Sequence, residues 1–168
     1  MNRGNVLSMG LLALTLMVSA CSQSSNPTAT SIGATSETGG EPGILAKLHD
    51  PQVGIQASAQ GNPPRLMFSA GASGTSDSES MIAARTIESV TFEIHEASGG
   101  IVDSETTQNI MRTGVLGPDH EASVTVFAEG YWESVAPLER GAYLIGIVRG
   151  RNGEMLVTRT EIPELSGS

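Results

Sequence analysis

The tightest constraint on this 168-residue chain is a pair of alternating runs near its C-terminus, joined by a glycine-bearing turn. Tyr143-Leu144-Ile145-Gly146-Ile147-Val148 and Met155-Leu156-Val157-Thr158-Arg159-Thr160 flank Gly150-Arg151-Asn152-Gly153. Strand side chains alternate between the two faces of a sheet, and β-branched residues fill such a surface well, so the two runs form a hairpin. Asn152-Gly153 accepts the paired positive φ values of a type I′ turn, whose twist matches the flanking strands, and that turn is expected here.

The same texture fills the chain from about residue 45 onward. Ser89-Val90-Thr91-Phe92-Glu93-Ile94-His95 sets Val90, Phe92 and Ile94 on one face and Thr91, Glu93 and His95 on the other. Ser98-Gly99-Gly100 turns it into Ile101-Val102-Asp103. Val53-Gly54-Ile55-Gln56-Ala57 follows an expected turn at Asp50-Pro51, and Pro63-Pro64 separates it from Leu66-Met67-Phe68-Ser69-Ala70. Val124-Thr125-Val126-Phe127 is a further strand, continued by residues 131–135 after Gly130. Short alternating runs with regular turn signals make this an antiparallel all-β domain. Two short helices are expected: residues 77–84, where Ser76 and Glu79 have capping-box spacing, and residues 108–112. Residues 104–122 carry little strand pattern and leave room for an insertion.

Charge excludes one class of partner. Nine Lys and Arg stand against 18 Asp and Glu, for a net charge of −9, and the basic residues are scattered singly. Nucleic acid is not expected, because phosphate-backbone binding needs clustered cations. Cys21 is the only cysteine, so no disulfide closes within the chain, and stability must come from packing.

The N-terminus has a separate logic. Arg3 precedes about a dozen mostly apolar residues that end in Val18-Ser19-Ala20-Cys21. A cationic end, a short apolar run and small residues read as a cleaved export signal, too short for a comfortable membrane span. Val18-Ser19-Ala20-Cys21 resembles the lipobox of bacterial lipoproteins. The resemblance implies cleavage between Ala20 and Cys21, diacylglycerol on Cys21 and acylation of the new amine, so that the membrane is a partner through lipid. Ser22 after the cysteine resembles the pattern with which lipoproteins leave the inner membrane in many Gram-negative bacteria, implying an outer-membrane anchor facing the periplasm. Residues 22–43 are rich in Ser, Thr and Gly, with Ile32 the single large apolar residue. That is a flexible tether with an r.m.s. span of roughly 25 Å. The expected organisation is a signal over 1–20, lipidated cysteine and linker over 21–43, and one domain over 44–165.

Just before the C-terminal hairpin stands Leu138-Glu139-Arg140-Gly141-Ala142-Tyr143. A leucine, then a glycine two residues ahead of a tyrosine that opens the penultimate strand, resembles a tyrosine corner. The resemblance implies that Leu138, Gly141 and Tyr143 shape a sheet-to-sheet crossing, with the phenol turned back to backbone and Gly141 permitting the tight turn. Together with the short strands, the region over approximately 45–163 resembles bacterial immunoglobulin-like domains. That implies an antiparallel β-sandwich of about seven strands. Ile145, two residues after the tyrosine, stands where antibody-type domains place a cysteine.

Chemistry-bearing residues are sparse. His49, His95 and His120 lack metal-ligand spacing, and His95 falls on the polar face of its strand as a solvated histidine. Gly71-Ala72-Ser73-Gly74 has its second glycine one residue too early for a nucleophile turn and reads as a loop. Asp77, Glu79, Asp103, Glu105, Asp119 and Glu121 are loop-side acids without a dense calcium loop, so no metal is assigned. Tyr131-Trp132 carries two of six aromatic residues, and in a strand they point to opposite faces. Trp132 is then the core tryptophan, while an exposed Tyr131 between Glu129 and Glu133 would suit a protein or glycan contact. No catalytic set and no cofactor site is expected. The sequence points to a lipid-anchored, non-catalytic module that mediates contacts with another envelope protein, with a carbohydrate- or small-ligand-binding accessory protein as the alternative.

Overall fold

The structure, a computed structural model, describes residues 40–56, 62–119, 121–133 and 138–162. Val18-Ser19-Ala20-Cys21, the tether up to residue 39, Ala57, His120 and residues 134–137 lie outside the described residues. Eight strands follow a short 3-10 turn, Gly43–Lys47: β1 (His49–Gln56), β2 (Arg65–Gly74), β3 (Ile87–His95), β4 (Ile101–Thr107), β5 (Ile110–Leu116), β6 (Ala122–Tyr131), β7 (Tyr143–Gly150) and β8 (Met155–Glu161). One helix, α1 (Glu79–Thr86), links β2 to β3.

The strands form two antiparallel four-stranded sheets, ordered β1-β2-β6-β5 and β4-β3-β7-β8. Immunoglobulin-like constant domains set strands A-B-E-D against C-F-G. Here β1, β2, β6 and β5 take the first order, β3, β7 and β8 the second, and β4 is added beside β3. The fold is therefore an immunoglobulin-like sandwich with eight strands rather than seven.

Alternation decides which side chains the sheets share. Leu66, Phe68, Ala70 and Ala72 of β2 face Val90, Phe92 and Ile94 of β3 and Leu144 and Val148 of β7 across the core. Leu45 from the 3-10 turn and Met81, Ala83 and Ala84 from α1 close one end of it. Gly146 of β7 also faces inward, where an added Cβ would lie 3.2 Å from the Val53 Cβ. The domain reaches further N-terminally than expected. The Met155 amide donates to Glu41 O at 3.1 Å, so residues 40–43 belong to the domain and not to the tether.

The β7–β8 and β3–β4 hairpins share one turn geometry. Gly150 N–H donates to Glu154 O and Gly153 N–H to Gly150 O, and Gly153 alone takes a positive φ, of 88°. That is a three-residue loop ending in a left-handed glycine, and the type I′ turn with Asn152 also left-handed does not form. Gly99, at φ 94°, does the same between β3 and β4.

Several expected boundaries move. Asp50-Pro51 is not a turn before β1 but an irregularity within it, where Asp50 takes φ 46° and the register shifts. Gly71-Ala72-Ser73-Gly74 is the end of β2, fully paired with β6, and not a loop. Helix α1 is capped by Ser78, whose hydroxyl accepts from Met81 N–H, and not by Ser76. The described residues of 104–122 hold no insertion: β4 runs on to Thr107, the chain crosses between sheets at Gln108-Asn109, and β5 begins at Ile110. The helix expected over 108–112 is absent because Ile110 to Arg112 pair with Ala128 to Val126 of β6.

Candidate functional site

The histidines and acids do not converge. His49 Nδ1 lies 3.2 Å from Ser73 Oγ in an exposed pair, and nearby Asp50 is engaged by Gln52 Nε2 at 2.7 Å instead. Glu79 pairs with Lys47 at 2.9 Å, Asp103 accepts from its neighbour Ser104 N–H, and Glu105 accepts from Tyr131 N–H. Among the described residues, no three His, Cys, Asp or Glu side chains come together as a metal site would require.

His95 is buried, not solvated as its place on the polar face suggests. Its Nε2 lies 2.9 Å from Glu93 Oε2 and its Nδ1 3.2 Å from Gly99 O. Its ring stacks on Tyr143, its cross-strand partner on the outer face of the second sheet. Arg159 of β8 stands over the same Tyr143 ring. This placement corrects the tyrosine corner. Leu144 faces the core opposite Ile94, so Tyr143 and Ile145 face outward, and Tyr143 packs on the sheet instead of turning back into the crossing. Ile145 therefore does not occupy a core-facing cysteine position. Gly141 does take a positive φ, of 87°, and Leu138 packs against the core.

Tyr131 ends β6, and Trp132 follows it, outside the strand, with its main-chain N–H donating to Pro64 O at 3.0 Å. Tyr131 is 43% exposed, while Trp132 is 4% exposed within the core. The indole N–H of Trp132 has no hydrogen-bond partner among the described residues.

A shallow cleft of about 660 Å³ opens where the chain crosses from β4 to β5, lined by Arg85, Arg112 and Arg151 together with Glu88, Ser89 and Gln108. Two of the three arginines have a structural task. Arg112 donates from Nε to Ala84 O at 2.7 Å and from Nη2 to Ile87 O at 2.8 Å, capping the C-terminal end of α1. Burial first, and the charge of Arg151 second, lower its pKa, though a guanidinium stays charged. Arg151 pairs with Glu88 at 3.4 Å.

The sandwich has four sheet edges, and an unpaired edge is a template for another strand unless something blunts it. On β1 the irregularity at Asp50-Pro51 breaks the ladder. On β4, Asp103 and Glu105 sit opposite Ile94 and Phe92, placing acids on the core-facing side of the strand. On β8, Arg159 and Glu161 are exposed charges. Strand β5 has no such device. It reads Ile110-Met111-Arg112-Thr113-Gly114-Val115-Leu116, and its one charge is held on the carbonyls of Ala84, Ile87 and Ile110, which leaves the edge open from Met111 onward. Met111 is 43% exposed, Val115 65% and Leu116 69%. This edge offers main-chain donors and acceptors flanked by apolar side chains, the chemistry of strand addition. The sequence hid it because solvent on both faces removes the alternation that burial imposes, and Gly114 interrupts the run.

The chain matches no protein-family model, no curated protein and no solved structure.

Proposed function

We propose that this protein is a lipid-anchored component of the cell envelope whose immunoglobulin-like module is non-catalytic and mediates protein contacts through the β5 edge. The observation that carries the contact reading is the unshielded apolar edge at Met111, Val115 and Leu116, in a domain whose other three edges are blunted. The anchor rests on Val18-Ser19-Ala20-Cys21, and Ser22 favours the outer membrane facing the periplasm. Mass spectrometry of the membrane-extracted protein tests the anchor. Loss of residues 1–20 with lipid mass on Cys21 supports it, as does release of Cys21→Ala into the soluble fraction; an unlipidated soluble chain removes it. A photo-crosslinking residue at position 115 tests the contact, with the same residue at exposed position 106 on β4 as reference.

The cleft between Arg85, Arg112 and Arg151 favours a second reading, an accessory protein that binds an anionic saccharide or other small anion. Calorimetry with an acidic and a neutral oligosaccharide separates the two. Heat from the acidic sugar alone, lost in Arg85→Ala, would move this reading ahead of the contact module.

A further inference from the structure

We infer that the partner of the β5 edge is a second copy of this chain, added antiparallel about a two-fold axis through Thr113; this rests on the contact reading above. The strand is complementary to itself in that register. Residues directly opposite on an antiparallel pair share one face of the sheet. With Thr113 opposite Thr113, Met111 meets Val115 and Ile110 meets Leu116. Arg112 and Gly114 then exchange main-chain bonds across the axis, Ile110 keeps its N–H on Gln108 O and its carbonyl on Arg112 Nη1 of its own copy, and both outer faces lie on the same side of one continuous eight-stranded sheet.

Charge and size select this register over its neighbours. Moving the axis to residue 112 sets Arg112 against Arg112, two cations in direct opposition. The Thr113 register sets Arg112 against Gly114, the residue with no side chain, and leaves the guanidinium on the Ala84 and Ile87 carbonyls of its own copy. No acidic residue occurs in β5, although the chain carries 18 of them and a net charge of −9. A strongly acidic protein repels its own copies over most of its surface. Here the stretch of open edge without blunting is also a stretch that carries no acidic side chain. The exposed side chains at the seam, Met111, Val115 and Leu116, are those that the added strand would cover.

Cysteine crosslinking of the full chain in membranes tests the register. Opposed Cβ atoms on paired strands lie about 4.5–5.5 Å apart, close to disulfide reach. Thr113→Cys, oxidised with copper phenanthroline, is expected to give a band of twice the monomer mass. Thr106→Cys on the exposed face of β4, and the unaltered chain with Cys21 alone, are not. Adding Val115→Lys places a lysine opposite Met111 twice per dimer and is expected to cut the doubled band at least about tenfold. Met111→Lys repeats the test from the opposite side of the seam, and circular dichroism of both variants verifies the fold. A Thr113→Cys band no stronger than that of Thr106→Cys overturns the two-fold pairing. If Thr113→Cys links instead to a chain of different mass, self-pairing fails and the contact reading stands. If neither Thr113→Cys nor a crosslinker at position 115 captures anything, both fail.

Discussion

The imidazole of His95 lies over the ring of Tyr143, with centroids 5.0 Å apart and planes 13° from parallel. Arg159 Cζ stands 3.7 Å from the centroid of the same ring. Strands β3 and β8 flank β7, so the phenol is held by a neighbour on each side, on the outer face of the second sheet. The ring of Tyr143 thus carries its contacts to both neighbouring strands. Tyr143→Phe keeps both ring contacts and is expected to change stability by less than about 0.5 kcal/mol. Tyr143→Ala removes them and is expected to cost roughly 1–3 kcal/mol. Urea unfolding of the three proteins decides it. Equal losses in Phe and Ala variants would restore the hydroxyl as the important group.

Arg112 joins the edge strand β5 to the end of α1 through Ala84 O and Ile87 O, and Nη1 adds Ile110 O at 3.2 Å. Removing it leaves the last carbonyls of α1 without their cap. Arg112→Ala is expected to lower stability by roughly 1–3 kcal/mol. Arg112→Lys recovers only part, because a single ammonium cannot reach the spread of carbonyls that a planar guanidinium spans. Thermal unfolding of both variants, at one protein concentration, reads the difference.

The sandwich was legible where burial imposes a period. Val90, Phe92 and Ile94 read as one face because each is fully buried between the sheets. Where burial is one-sided or absent, no such period forms. Strand β4 is legible at Ile101-Val102-Asp103, but β5 lies at an edge and its glycine-broken run carries no period, so it does not read as a strand. His95 read as solvated because alternation gives the face of a side chain but not what covers it, and its cover comes from Tyr143 and the Gly99 turn. Tyr143 itself was misassigned by one position, since a six-residue motif does not fix which side of the next strand meets the core. The contact edge depends on which strands end up last in each sheet, a property of topology that no local pattern encodes.

Trp132 is the buried indole of the domain, and its N–H is unpaired among the described residues. An unsatisfied buried donor costs about 1–3 kcal/mol, which opposes the gain from burying the ring. Trp132→Phe gives up part of the packing and also removes the unpaired donor, so the two changes offset. The expected net effect is within about 1 kcal/mol, whereas Trp132→Ala leaves a cavity and costs roughly 3–5 kcal/mol. Chemical denaturation checks this. A Phe variant destabilised by more than about 2 kcal/mol would mean that the indole N–H is bonded in solution.

The Glu154 carboxyl, in the turn between β7 and β8, is held below its ordinary value of 4.5. The largest cause is a hydrogen bond from its own backbone N–H, followed by the Asn152 side-chain amide at 3.1 Å, with Asn152 N–H also donating at 3.0 Å. A carboxyl whose pKa is lower in the folded than in the unfolded chain binds fewer protons when folded. Its contribution is complete above the unfolded value and is lost as pH falls through the folded one. Glu154→Gln keeps an acceptor oxygen but has no charge to lose. Its urea midpoint should therefore fall below that of the native chain at about pH 7, and the two should converge as the solution is taken below about pH 4. A gap that persists unchanged in acid would show that the turn gains nothing from the ionised carboxylate.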